Sequence, residues 1–194
     1  MDEISLHILD IAENSVKAGA KNVVIEINES DKLVSVVITD DGRGMDGATL
    51  RKAMSADPFL PERAGSGRGI PLLKNAAEQT GGEISVISHE GSGTSVSAVF
   101  VKESDDFIPL GDAAATVASL FAGAPDTDIR YKHSFPAGGE TRTVGYDTKD
   151  LRKAVRDGSV PLVSAYLTVR DSIREEYEKI RKILTCEDGG SLLA

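Results

Sequence analysis

Three short runs in this sequence hold residues able to do chemistry. The first is Asp10-Ile11-Ala12-Glu13-Asn14-Ser15-Val16-Lys17. Asp10 and Asn14 are four residues apart, so a helix sets them on one face, and Lys17 extends that face by three. A carboxylate, an amide oxygen and an ammonium in line suit a metal-bound phosphate chain. The amide oxygen can ligate a hard cation, the ammonium can meet a phosphate oxygen, and the carboxylate can orient a water. The same stripe is also what a solvated helix face looks like.

The second run is Asp40-Asp41-Gly42-Arg43-Gly44-Met45, at the end of an apolar stretch. A carboxylate at a strand end is placed to accept from an amino group, such as that of adenine. Gly42 and Gly44 let the backbone pass close to a flat base. An ordinary Asp-Gly turn reads the same way. The third run, Gly65-Ser66-Gly67-Arg68-Gly69, directly precedes a helical pattern. Amides at a helix N-terminus attract anions, and glycines admit phosphates. It lacks the GxxxxGK[ST] pattern of a P-loop. It also does not follow the first strand of a parallel unit, as a dinucleotide fingerprint does.

The elements that must position these runs follow from periodicity. Ile4 to Ala18 has helical spacing and ends at Gly19. Val23–Ile27 and Leu33–Thr39 read as strands of a hairpin. A short helix is expected at Ala48–Met54, an irregular segment over 55–69, and a helix from Pro71 to Gln79. Strands follow at Glu83–Ser88 and Thr94–Val101 across a Gly91-Ser92-Gly93 turn. Beyond the charged link Lys102–Asp106, a helix is expected at Asp112–Phe121 and a hairpin at Asp128–Phe135 and Glu140–Tyr146. Helices at Lys149–Arg156 and Pro161–Leu184 complete the reading.

Composition bounds the function. The chain has 194 residues, is 40% hydrophobic and 27% charged, and carries a net charge of -9 with a pI near 4.9. An acidic surface excludes duplex nucleic acid as the main partner. A single cysteine, Cys186, allows no internal disulfide. The N-terminus has no signal-peptide pattern, and no apolar run is long enough for membrane insertion, so a cytoplasmic location is expected.

Taken together, the order and spacing of the three runs resemble the N, G1 and G2 boxes of the GHKL (Bergerat-fold, histidine-kinase-like) ATPase superfamily. That superfamily includes histidine kinases, type II topoisomerases, mismatch-repair MutL proteins and anti-sigma-factor kinases. The resemblance covers residues 1–101. It implies ATP and magnesium as cofactors. Asn14 matches the magnesium-binding asparagine, and Lys17 matches a basic position of many histidine kinases. Asp40, Gly42 and Gly44 match DxGxG, with Asp40 on adenine and Met45 beside it. Gly65, Gly67 and Gly69, with Arg68, match the glycine-rich ATP lid. Thr94 matches the threonine that assists the aspartate. Asp57-Pro58-Phe59 resembles the F box of kinases.

The chain departs from the pattern at Asp10. Hydrolytic members place a glutamate general base there, and Asp10 is one methylene shorter. His7 lies on the same stripe, with a packing or supporting role expected. His89 and His133 have no ligand cluster around them in the sequence, so surface or core roles are expected. The ATP domain begins at the first residue of this sequence, so a dimerisation helix of the kind that precedes it in histidine kinases is not expected. The last third is similar to that of small stand-alone ATP-binding proteins, some encoded near iron hydrogenases or NADH-oxidising complexes.

The expected fold is an α/β two-layer sandwich, with a mixed, mainly antiparallel sheet and helices on one face. Residues 1–101 form the ATP-binding domain and 102–194 a helix-rich extension with a β-hairpin. The expected function is that of a protein kinase or slow ATPase acting with a partner protein. The alternative is a non-catalytic ATP-dependent switch or nucleotide sensor. The long last helix either packs on the ATP module or pairs with a second copy as a homodimer.

Overall fold

The structure is a computed structural model that describes residues 3–55 and 69–188. The expected F box at Asp57–Phe59, and Gly65, Gly67 and Arg68 of the glycine-rich run, lie outside the described residues.

Alternation of β-branched and polar residues builds the first strands. In β1 (Asn22–Glu29) the side chains of Val23, Ile25 and Ile27 are buried, and in β2 (Leu33–Asp40) those of Val34, Val36 and Ile38. Period two puts each set on one face of the sheet. β3 (Glu83–His89) and β4 (Gly93–Val101) form a second hairpin, and β5 (Asp128–Ala137) and β6 (Glu140–Asp147) a third. The six strands make one sheet in the order β3-β4-β2-β1-β5-β6. Every pairing is antiparallel except β1 with β5, which is parallel.

One face of this sheet carries the helices: α1 (Ile4–Lys17), α2 (Gly47–Ser55), α3 (Gly69–Gln79), α4 (Ala113–Gly123), α5 (Lys149–Arg156) and α6 (Leu162–Asp188). α3 packs on β3 and β4, α1 on β1 and β2, α4 on β5, and α6 on β6. α4 touches both α1 and α6. The result is the two-layer α/β sandwich the sequence predicts. α3 starts two residues before Pro71, at Gly69.

The segment after residue 101 is not laid against the first hundred residues as a separate body. Its strands extend the same sheet, and its helices extend the same layer. A single buried cluster runs from Ile4 and Ile8 of α1 through Val117 and Phe121 of α4 to Val169 and Ile173 of α6. Burying such side chains stabilises by about 1.5–3 kcal/mol each relative to exposure. α6 is also tied down by polar bonds. Tyr177 Oη lies 2.6 Å from both Tyr131 Oη and His133 Nδ1, and His133 Nε2 lies 2.9 Å from Glu29 Oε1. His133 is therefore a buried core histidine. Its bond, followed by that of Lys102, holds the Glu29 carboxyl down at about 2 against the opposing effect of burial.

Candidate functional site

The sheet ends under the C-terminal half of α1, and there the inward-facing rows finish in polar groups. Asp40 continues the row Val34, Val36, Ile38; Thr94 continues the row Val96, Ala98, Phe100. The two are Cα partners across the β2–β4 ladder. Period two therefore brings a carboxylate and a hydroxyl side by side at the mouth of the sheet, beneath α1.

Asp40 is held in one orientation. Ser15 Oγ of α1 donates to Asp40 Oδ2 at 2.6 Å, and the Gly42 amide donates to Asp40 Oδ1 at 2.8 Å. A hydrogen bond to a charged group is worth about 1.5–3 kcal/mol. Ser15 is buried. In the sequence Ser15 stands only as part of the Asp10–Lys17 run, with no chemistry of its own to mark it. Its signal is faint: a serine next to Asn14 on an otherwise amphipathic helix.

Thr94 is held from the other side. Its Oγ1 lies 2.9 Å from Oγ of buried Ser88, which accepts from the Met45 amide at 2.8 Å and donates to the Gly93 carbonyl at 3.1 Å. Ser88 was also missed from the sequence. Met45 enters the site by its backbone, which anchors the loop after β2 to β3.

The glycines of the second run have structural reasons. Gly44 has φ +64°, and a Cβ there would strike the backbone carbonyl of His89. Gly42 is buried, and a Cβ would press on Asp40 Oδ1 at 3.0 Å and on the Ala18 carbonyl at 3.1 Å. This closeness lets the Arg43 amide reach the Ala18 carbonyl at 3.0 Å. Asp41, the second carboxylate of the run, faces away from this task. It accepts from the Lys21 and Asn22 amides at 2.7 and 2.8 Å and from the Asn22 side chain at 2.7 Å. Burial pushes its carboxyl up, but those bonds outweigh burial and hold it below its usual range.

Asp10 and Asn14 converge as their spacing predicts. Both approach Gly69, the first residue of α3: a Cβ on Gly69 would lie 3.0 Å from Asp10 Oδ2 and 3.0 Å from Asn14 Nδ2. A side chain at 69 would thus crowd the two polar groups. The N-terminal amides of α3, whose partial positive charge favours anions, lie beside them. Lys17 is different. It is largely exposed and pairs with Glu13 at 3.5 Å. His7 is 3% exposed, and neither ring nitrogen has a hydrogen-bond partner among the described residues. Burial drops its pKa to about 4, so it is a neutral core residue near pH 7.

The arrangement has two halves. One is an oriented carboxylate beside a hydroxyl, fit to read hydrogen-bond donors on a flat ligand. The other is an amide and a carboxylate against a helix N-terminus, fit for an anion with its counter-ion. Among the described residues no three His, Cys, Asp or Glu side chains gather as a metal site. Asn14 is the candidate metal ligand from the sequence, and its side-chain oxygen is of the hard type that magnesium takes.

The first half of the chain is similar to known proteins. The family model described as "Histidine kinase-, DNA gyrase B-, and HSP90-like ATPase" matches residues 2–104. A probable C4-dicarboxylate sensor kinase of Bacillus subtilis (strain 168) is 28% identical over 92 residues, 47% of this chain and 17% of that protein. The sensor histidine kinase ZraS of Escherichia coli (strain K12) is 32% identical over 95 residues, 48% of this chain and 20% of that protein. This chain spans about a fifth of the length of these curated relatives. The crystal structure of the N-terminal domain of a DNA repair protein superposes with a TM-score of 0.52 at 11% identity. It covers 74% of this chain and 52% of that one. That likeness concerns the fold alone.

Proposed function

This chain belongs to the histidine kinase-, DNA gyrase B- and HSP90-like ATPase family, and from that premise we propose that its residues 1–101 bind ATP with magnesium. In this reading the chain acts as a protein kinase or slow ATPase together with a partner protein. The observation that carries it is the pinned Asp40 beside Thr94, at the same end of the sheet as the Asp10–Asn14 pair. Asp40 accepts from the adenine amino group with Thr94 assisting, and the loop of Gly42, Gly44 and Met45 borders the base. Asn14 would hold magnesium, which would supply positive charge to the phosphates when bound. The N-terminus of α3 at Gly69 takes phosphate charge. Gly65, Gly67, Arg68 and Lys17 are assigned to the same task on sequence grounds. Asp10 is the candidate general base.

Gly69 gives the fit test. A side chain there would press within 3.0 Å of Asp10 Oδ2 and Asn14 Nδ2, so a glycine leaves room beside a helix N-terminus for a phosphate chain with its cation. No helix among the described residues is long and apolar enough to cross a membrane. Work at a protein surface by α6, whether toward a partner or a second copy, is part of this proposal. Incubation with γ-labelled ATP and magnesium separates the forms of the reading. Label on a co-purified protein marks a kinase, free phosphate an ATPase, and saturable binding with neither a nucleotide switch. Absence of saturable ATP binding overturns all three.

A further inference from the structure

The hydrogen-bond arithmetic of Ser88 is closed, and it fixes the polarity of Thr94. A hydroxyl has one proton and two lone pairs. Ser88 Oγ meets the Met45 amide at 2.8 Å, which can only donate, and the Gly93 carbonyl at 3.1 Å, which can only accept. One lone pair and the proton are thereby used. The remaining neighbour, Thr94 Oγ1 at 2.9 Å, must then donate to the second lone pair. Thr94 has spent its proton inward and presents only lone pairs elsewhere. Its ladder partner Asp40 is likewise an acceptor, with both oxygens already taking a proton donor from the protein.

The geometry points to Ser88 as a specificity-determining positioning residue: by taking the Thr94 proton it makes Thr94 and Asp40 a double acceptor. Such a pair welcomes a ligand edge that carries two hydrogens, as the exocyclic amino group of adenine does. It rejects an edge that carries a carbonyl, because two acceptors then face each other with no proton between them. Ser88 is buried behind Thr94, so it acts through that residue. The inference rests on the adenine-nucleotide reading of this site and adds a source for its selectivity.

The test compares ATP with inosine triphosphate, which keeps the phosphates and carries a carbonyl in place of the amino group. Dissociation constants are measured calorimetrically with magnesium for the wild type, Ser88→Ala, Ser88→Thr and Thr94→Val. Wild type should prefer ATP by about tenfold or more. In Ser88→Ala the Thr94 proton is released and can turn to the carbonyl, so the preference should fall at least about threefold, chiefly through tighter inosine triphosphate binding. Ser88→Thr keeps the hydroxyl and should keep the preference. A merely structural role would weaken both nucleotides alike and leave the ratio where it was. An unchanged ratio in Ser88→Ala overturns the proposal. If that variant does not fold, Thr94→Val decides: without lone pairs at 94 the ratio must narrow, and an unchanged ratio overturns the proposal. Failure of the wild type to bind either nucleotide overturns the adenine reading itself, which is a distinct result.

Discussion

Ser15 Oγ lies 2.6 Å from Asp40 Oδ2, a bond that joins the last turn of the first helix to the end of the second strand. It orients the carboxylate before any ligand arrives. Ser15→Ala removes that donor while leaving the fold's apolar contacts in place. A lost hydrogen bond to a charged group costs about 1.5–3 kcal/mol of folded-state stability, and with Asp40 no longer held in one orientation ATP should bind more weakly. Asp40→Asn should weaken ATP binding too, and should also erode the preference for adenine over guanine. Titration calorimetry with ATP and GTP checks both. Equal wild-type affinity for the two nucleotides would remove Asp40 as the reader of the base.

Asn14 makes a different prediction. Its amide stands with Asp10 at the start of α3, and its proposed part in ATP binding runs through the metal. ATP should bind weakly to the wild type when magnesium is chelated. Asn14→Ala should lose most of the affinity and with it the magnesium dependence. Binding measured with and without chelator reads this directly, and a wild type indifferent to chelator would contradict it.

Asp10 bears on turnover. It stands where hydrolytic relatives have a glutamate, and its carboxylate reaches about 1.5 Å less far. Displacing a catalytic group by about 1 Å can cost roughly 100-fold. Wild-type hydrolysis without a partner should therefore be slow, well under about 10 per second. Asp10→Glu should raise phosphate release, and Asp10→Asn should lower it while binding persists. Identical release from all three proteins would reduce Asp10 to a polar helix residue.

His7 gives a pH dependence of stability. Burial lowers its pKa from 6.5 to about 4 in the folded protein. Below pH 6.5 the unfolded chain takes up a proton that the folded chain refuses. Stability is thus full above that pH and falls as pH drops from 6.5 to about 4, by about 3 kcal/mol in all, of which about 2 kcal/mol is lost by pH 5. His7→Leu should flatten this slope and leave stability at pH 7 nearly unchanged, since neither ring nitrogen is bonded among the described residues. Urea unfolding at pH 7 and pH 5 measures the difference. An equal pH slope in the variant would place the sensitivity elsewhere.

Much of this architecture was readable from the chain. Val23, Ile25 and Ile27, or Leu9, Ala12 and Val16, announce their element through spacing alone, because period two and period 3.6 are local properties. Asp10 and Asn14 were legible as a pair for the same reason. What spacing cannot carry is who lies beside whom. The parallel match of β1 with β5 joins segments about a hundred residues apart, and nothing local in Asn22–Glu29 marks it. The two serines escaped for a related reason. A serine is at home on a surface or buried, and only its neighbours decide. Ser15 finds Asp40 25 positions away, and Ser88 finds the Met45 amide 43 positions back. The carboxylate of Asp41, next to Asp40 in sequence, is consumed by amides at the start of β1, another pairing that spacing does not announce.

The parallel pairing of β1 with β5 has a consequence for anyone who would cut this protein. A fragment stopped at residue 101 would keep every candidate nucleotide-binding residue and yet lose the neighbour of its own first strand. Asn22 to Asn28 would become a raw edge, with free amides and carbonyls along seven residues and Val23, Ile25 and Ile27 deprived of part of their cover. Such edges recruit other strands. The candidate binding residues are clustered in sequence, but the sheet that holds them in place is not. A cut at 101 therefore divides one sheet, whose last strand runs to Asp147.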